Sequence, residues 1–119
     1  MTSDVAIIDS GGANIASLRF ALERLGASST LTVDVDELRA APRVILPGVG
    51  AAADAMLRLE SLRLVNVIRD LRQPVLGICL GMQLLFDASD EGDTRCLGLL
   101  PGRVERFPDR DGFPVPHMG

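Results

Sequence analysis

Gly77-Ile78-Cys79-Leu80-Gly81 places a cysteine between two glycines, each two positions away, where two apolar segments meet. Pro74-Val75-Leu76 before it reads as a strand, and Met82 to Phe86 after it has helical character. A strand that turns sharply into a helix with a nucleophile at its apex is a nucleophile elbow. The chemistry such a cysteine serves is attack by sulfur on a carbonyl carbon, which gives a covalent intermediate. The glycines have a steric reason. The strand and helix backbones pass close together at such a turn, and a β-carbon at position 77 or 81 would crowd the crossing. The positive end of a helix dipole also favours a thiolate over a thiol. The plainer alternative is a buried cysteine in a glycine-bounded turn, because free cysteines are commonly small core hydrophobes.

A thiolate that attacks a carbonyl needs donors for the developing oxyanion. The backbone N–H just after the nucleophile, here Leu80, is the usual first donor. A second has to come from a neighbouring strand end, and Pro47-Gly48-Val49-Gly50 follows a strand with glycines that let its backbone approach a ligand. By itself that segment also reads as a plain β-to-α loop. The other thiol, Cys96, lies in no motif and reads as structural.

The elements that must position these residues alternate along the chain. Val5 to Ile8 is a continuous apolar run and reads as a buried strand. Ser10 to Ala13 is a loop, and Asn14 is a good N-cap for a helix from Ile15 to Leu25, with Ile15, Leu18, Leu22 and Leu25 on one face and Gly26 ending it. Ser29 to Val33 is a more polar strand, Asp36 can cap a short turn through Arg39, and Arg43 to Leu46 is a third strand. Ala51 to Leu59 and Leu62 to Leu71 favour helix, the second with a stripe of Leu62, Val65, Ile68 and Leu71. Ser89 to Asp93 is an exposed acidic turn, Leu97 to Val104 runs from loop into strand, and Asp109 to Gly112 has strong turn chemistry. Strands alternating with helices predict an α/β fold: a three-layer, mostly parallel sheet with helices on both faces.

Length and composition narrow the function classes. One domain fits into 119 residues, and two ordinary ones do not. Aromatic residues make up 3%, which leaves an aliphatic core and no stacking platforms for single-stranded nucleic acid. A net charge of −4 with no basic run argues against a phosphate-backbone partner. The most apolar window, Val44 to Leu57, is short and broken by Pro47, Gly48, Gly50 and Asp54, so no membrane span is expected. Met1-Thr2-Ser3-Asp4 lacks a basic n-region, so no secretory signal is expected. Cys79 and Cys96 are spaced neither as metal ligands nor as a disulfide framework, and a reducing cytoplasm fits.

Taken together, these segments resemble the class I (triad) glutamine amidotransferases, which predicts their flavodoxin-like fold. Within that group they resemble the glutaminase subunits of imidazole glycerol phosphate synthases. Four segments carry the resemblance: Ile8 to Asn14 to the opening motif, Leu46 to Gly50 to the oxyanion-hole segment, Gly77 to Leu85 to the elbow, and Pro116-His117-Met118-Gly119 to a Pro-His-Met-Gly motif. The resemblance implies that Cys79 attacks the side-chain amide of L-glutamine, forms a thioester and releases ammonia to a cyclase subunit in a heterodimer of histidine biosynthesis. It implies roles for Gln83 and Glu91 in contacting the glutamine, for Gly48, Val49 and Leu80 in the oxyanion hole, and for Asn14 near the subunit interface. No metal or cofactor is implied. Without the family, Gln83 and Glu91 read as a surface glutamine and a solvated charge.

The chain departs from the pattern in two places. The opening loop has Ser10, Gly12 and Ala13 where many relatives carry an aromatic residue and other loop residues. The family's catalytic histidine and acid follow the Pro-His-Met-Gly motif, and the sequence stops at Gly119, so it reads as the N-terminal part of one domain, interrupted in mid-domain. Its one histidine, His117, matches that motif and not the general base. A non-catalytic interaction module of the same fold, the amidotransferase part of another ammonia-channelling synthase, and a stress-response protein with a cysteine on a similar elbow are the alternatives. The Met82-Gln83 continuation and the Pro-Gly-Val-Gly loop speak against the last.

Overall fold

The structure is a computed structural model that describes residues 2–11, 14–108 and 112. His117 and the rest of the Pro-His-Met-Gly motif, Gly12 and Ala13 of the opening loop, and the turn at 109–111 lie outside the described residues. Four strands form a parallel sheet in the order β2-β1-β3-β4: β1 (Val5–Ile8), β2 (Ser29–Thr32), β3 (Arg43–Leu46) and β4 (Val75–Gly77). Every pairing within it is parallel, with Ile7 opposite Leu31 and Ile45, and Leu46 opposite Gly77.

Among the described residues, five α-helices cover the two faces: α1 (Ile15–Arg24), α2 (Val35–Ala40), α3 (Ala52–Ser61), α4 (Val65–Asp70) and α5 (Leu80–Leu84). The side chains of β1 and β3 alternate between the faces as strand geometry requires. Val5, Ile7 and Ile45 pack with Ile15, Leu18 and Leu22 of α1. Ala6, Ile8, Val44 and Leu46 point the other way, into the larger core with Leu38, Met56, Leu59, Leu64, Ile68 and Leu84. The expected three layers are present.

Local chemistry explains most boundaries and corrects several. Asn14 caps α1 as expected, its Oδ1 accepting from Ser17 N–H at 3.4 Å. Leu25 does not belong to the buried face: it is the C-cap, 81% exposed. The cap of α2 is Asp34 and not Asp36, with Oδ1 accepting from Glu37 N–H at 2.9 Å. Leu62 is the C-cap of α3 and Arg63 follows at φ +58°, so α4 begins only at Val65; Leu62, Val65 and Leu71 still pack against the core that buries Ile68. The Val75–Gly77 strand turns into α5 at once, so the helix starts at Leu80, ahead of Met82.

A second small sheet was not predicted. It joins β5 (Ala88–Ser89), β6 (Thr94–Arg95) and β7 (Arg103–Val104) in the order β6-β5-β7, around a 3₁₀ turn at Glu91–Asp93. Ser89, expected in the exposed turn, is fully buried in β5. The structure places Cys96 in the main core at 1% exposure, as its reading as a structural thiol expects.

Gln73 ties the segment leading into β4 to the end of α2. Its Nε2 donates to Leu38 O at 2.7 Å and to Ala41 O at 3.1 Å, satisfying carbonyls that the helix leaves open. Gln73→Ala is expected to cost about 1–2 kcal/mol in denaturant unfolding. A variant as stable as the parent would show that the two bonds contribute nothing.

Candidate active site

Cys79 stands between β4 and α5 with φ +53° and ψ −121°, a backbone conformation that side chains other than glycine rarely adopt. Its thiol is exposed. The neighbouring glycines show why the turn can be so tight. A β-carbon on Gly81 would lie 1.8 Å from the Leu46 carbonyl oxygen, and one on Gly77 would lie 2.6 Å from Met82 Cα. The predicted crowding at both positions is therefore real. The start of α5 is pressed against the end of β3, and Ile78 N–H donates to Leu46 O at 3.0 Å across the same junction.

The segment Pro47–Gly50 leaves β3 beside this turn. Gly48 is buried against α5, where an added β-carbon would come within 3.1 Å of Gly81 N and 3.2 Å of Leu80 Cβ. Val49 is 55% exposed. Ser10, noted in the sequence only as a departure in the opening loop, donates its hydroxyl to Pro47 O at 2.7 Å and is itself buried. Leu80 N–H donates to Gly48 O at 3.2 Å. The expected oxyanion donor is therefore satisfied inside the chain in this conformation.

Asn14, Ser17, Leu18, Pro47, Gly48, Val49, Ile78 and Cys79 together line a hollow of about 300 Å³. It sits beyond the carboxyl ends of β1, β3 and β4. The chain leaves β1 toward β2 and returns to β3 on the other side, and ligands of open α/β sheets bind at such a reversal of strand order. Cys79, Gly48, Val49 and Asn14 are thus brought together; Asn14 also caps α1 on the rim.

Gln83 and Glu91 line a different hollow, of about 290 Å³, with Ser89, Asp90, Val104, Glu105 and Arg106. Helix α5 connects residues of the two hollows: Cys79 is its N-cap, and Gln83 lies in its last turn. Among the described residues, the Gln83 side-chain amide has no hydrogen-bond partner. Glu91 is exposed, and its Oε1 accepts from Ala52 N–H at 3.3 Å. Arg103 pairs with Asp90 and, at 2.7 Å, with Asp93, and those carboxylates keep its guanidinium protonated. Of the acidic side chains at 90, 91 and 93, Glu91 has no ion pair among the described residues. No group of His, Cys, Asp or Glu suited to hold a metal ion occurs among the described residues.

This chain belongs to the class I glutamine amidotransferase family, whose pattern matches residues 6–106. It is similar to the imidazole glycerol phosphate synthase subunit HisH of Xanthomonas axonopodis pv. citri, at 57% identity over 117 residues that cover 98% of this chain and 58% of that protein. The subunit of the same name from Xylella fastidiosa is 55% identical over 98% of this chain and 58% of its own length. That from Idiomarina loihiensis is 56% identical over 98% and 59%. The chain thus spans 58–59% of the length of these curated relatives. A crystal structure of a glutamine amidotransferase superposes with a TM-score of 0.73 at 21% identity, over 87% of this chain and 56% of the other, and shares the fold. No described helix is long and apolar enough to cross a membrane.

Proposed function

We propose that residues 1–119 form the N-terminal part of the single amidotransferase domain of an imidazole glycerol phosphate synthase glutaminase subunit. The supporting observation is Cys79, held at positive φ on the apex of a strand-to-helix turn beside the Pro47–Gly50 loop, at the carboxyl end of a parallel sheet. Identity of 54–57% to HisH subunits along 98% of the chain supports the narrower assignment.

On this reading the turn is a nucleophile elbow. The Cys79 thiolate attacks the Cδ carbon of L-glutamine, the tetrahedral intermediate expels ammonia, and water then releases glutamate from the thioester. The base that moves the protons comes from the length of the relatives beyond these residues. Gln83 and Glu91 hold the amino-acid end of the glutamine, with the Glu91 carboxylate facing its α-ammonium. Leu80 N–H stabilises the oxyanion once Gly48 O has left it. Rotation of the Gly48–Val49 peptide frees that donor and turns Val49 N–H toward the same point. Ammonia then passes to a cyclase subunit docked near Asn14, in a cytoplasmic heterodimer that acts as a lyase in histidine biosynthesis.

Ammonia release from L-glutamine tests this, measured with residues 1–119 carried in a subunit of the relatives' length and with the cyclase present. Cys79→Ser is expected to lower release by about 10³-fold or more, while Cys96→Ser retains it. Unchanged release by Cys79→Ser contradicts the assignment.

A further inference from the structure

Helix α3 begins where the Pro47–Gly50 loop ends, and its N-cap, Ala51, has no side-chain oxygen to satisfy the first N–H groups. The missing acceptor comes from 39 residues away, as Glu91 Oε1 on Ala52 N–H. A second contact shows how closely the Glu91–Asp93 turn sits on that helix: a β-carbon on Gly92 would lie 3.4 Å from Ala53 Cβ. The backbone holds Glu91 firmly in place. Its N–H donates to the buried Ser89 Oγ at 3.1 Å, and its carbonyl accepts from Thr94 Oγ1 at 3.0 Å.

The loop is therefore fixed at three points. Ser10 holds Pro47 O upstream, Leu80 N–H holds Gly48 O in the middle, and Glu91 holds Ala52 N–H downstream. The middle bond is the one that must open for Leu80 to serve an oxyanion. The downstream one involves a carboxylate whose second oxygen, Oε2, has no partner among the described residues. We propose that Glu91 is a positioning residue for the oxyanion loop: while Oε2 takes the α-ammonium of the substrate, Oε1 fixes the start of α3, from which the loop swings. This rests on the glutaminase reading above. One side chain then ties recognition of the amino-acid end to the geometry at the reacting end.

The test separates the two oxygens through alkylation of Cys79, with residues 1–119 carried in a subunit of the relatives' length, followed as saturable kinetics with two electrophiles. One is a diazoketone analogue of glutamine; the other is the same diazoketone without its α-amino group. Glu91→Gln keeps an acceptor for Ala52 N–H and removes the charge. It is expected to raise the half-saturating concentration of the amino-bearing reagent about tenfold and to lower the maximal rate with the amino-free reagent far less than Glu91→Ala does. Glu91→Ala removes both, and should also slow that amino-free maximal rate about tenfold. Adding Ala51→Asp to Glu91→Ala restores a local cap for α3 and should recover most of that rate, which a general loss of stability would not allow. Wild-type maximal rates for Glu91→Ala with the amino-free reagent would overturn the positioning role and leave the ammonium contact standing. If L-glutamine fails to protect Cys79 in the parent subunit of the relatives' length, the glutaminase reading itself fails.

Discussion

Gly81→Ala is expected to abolish the cooperative unfolding transition of this chain. The added methyl carbon would sit 1.8 Å from the Leu46 carbonyl oxygen and 2.6 Å from its carbon, both backbone atoms of a central strand. Neither side can yield cheaply. Leu46 is fully buried and paired with Gly77 in the sheet, and Gly81 N–H is bonded to Ile78 O at 2.9 Å in the turn itself. Relief requires α5 to move off the sheet, which strips Leu80 and Leu84 out of the main core. The cost is about 4 kcal/mol or more, at the diagnostic end for single substitutions and close to the whole stability of a small domain. Gly26→Ala is the control: Gly26 has φ +76° but an added β-carbon there meets nothing within 4 Å, so the expected cost is only about 1 kcal/mol. Circular dichroism during urea titration distinguishes them. A Gly81→Ala chain that unfolds at the parent's midpoint would show that α5 does not pack as described.

Cys79→Gly is expected to separate stability from chemistry. The residue holds φ +53° and ψ −121° with an exposed side chain, so the fold loses little packing when the side chain goes and sheds backbone strain of about 1–3 kcal/mol. Part of that gain is offset by the greater freedom of glycine in the unfolded chain, which leaves a net rise in stability of about 1 kcal/mol. The same change removes the sulfur, so on the proposed reading thioester formation from glutamine falls by about 10³-fold or more. A variant that is inactive but melts higher is the expected signature of a strained functional position. A variant that is clearly less stable would mean that the Cys79 side chain serves the fold, as the plainer alternative for this cysteine holds.

What the sequence disclosed follows from the range of the physics involved. The glycines around Cys79 were readable because the constraint is local: a strand and a helix joined by so few residues must cross closely, and a β-carbon has no room. The parallel sheet was readable from continuous apolar strands alternating with helices. Leu25 was misplaced because helical periodicity continues past the residue where the backbone stops, and the C-cap points its side chain to solvent. Asp34 and Asp36 are equivalent candidates by type, and only the Glu37 N–H, three residues after Asp34, distinguishes them. Strands of two residues, such as β5 and β6, have no periodicity to detect, so the burial of Ser89 was hidden. Site residues separated along the chain were harder still. Ser10 on Pro47 O and Glu91 on Ala52 N–H span 37 and 39 residues, and no spacing rule connects them. Likewise, only the folded structure shows that Leu80 N–H is held by Gly48 O.

Cys79 and Cys96 offer an internal comparison, because the chain has two cysteines and the structure gives them opposite surroundings. Cys96 is 1% exposed, and burial pushes its thiol pKa up, so in the folded chain it stays protonated where a solvated thiol would already ionise. The most direct measurement is to treat folded protein with the diazoketone analogue of glutamine, with and without excess L-glutamine, and map the modified cysteine by peptide mass spectrometry. The expected result is modification of Cys79 that L-glutamine slows, with Cys96 spared until the chain is unfolded. Equal modification of both thiols in folded protein, or modification of Cys79 that L-glutamine does not slow, would contradict the assignment of Cys79 as a glutamine-directed nucleophile.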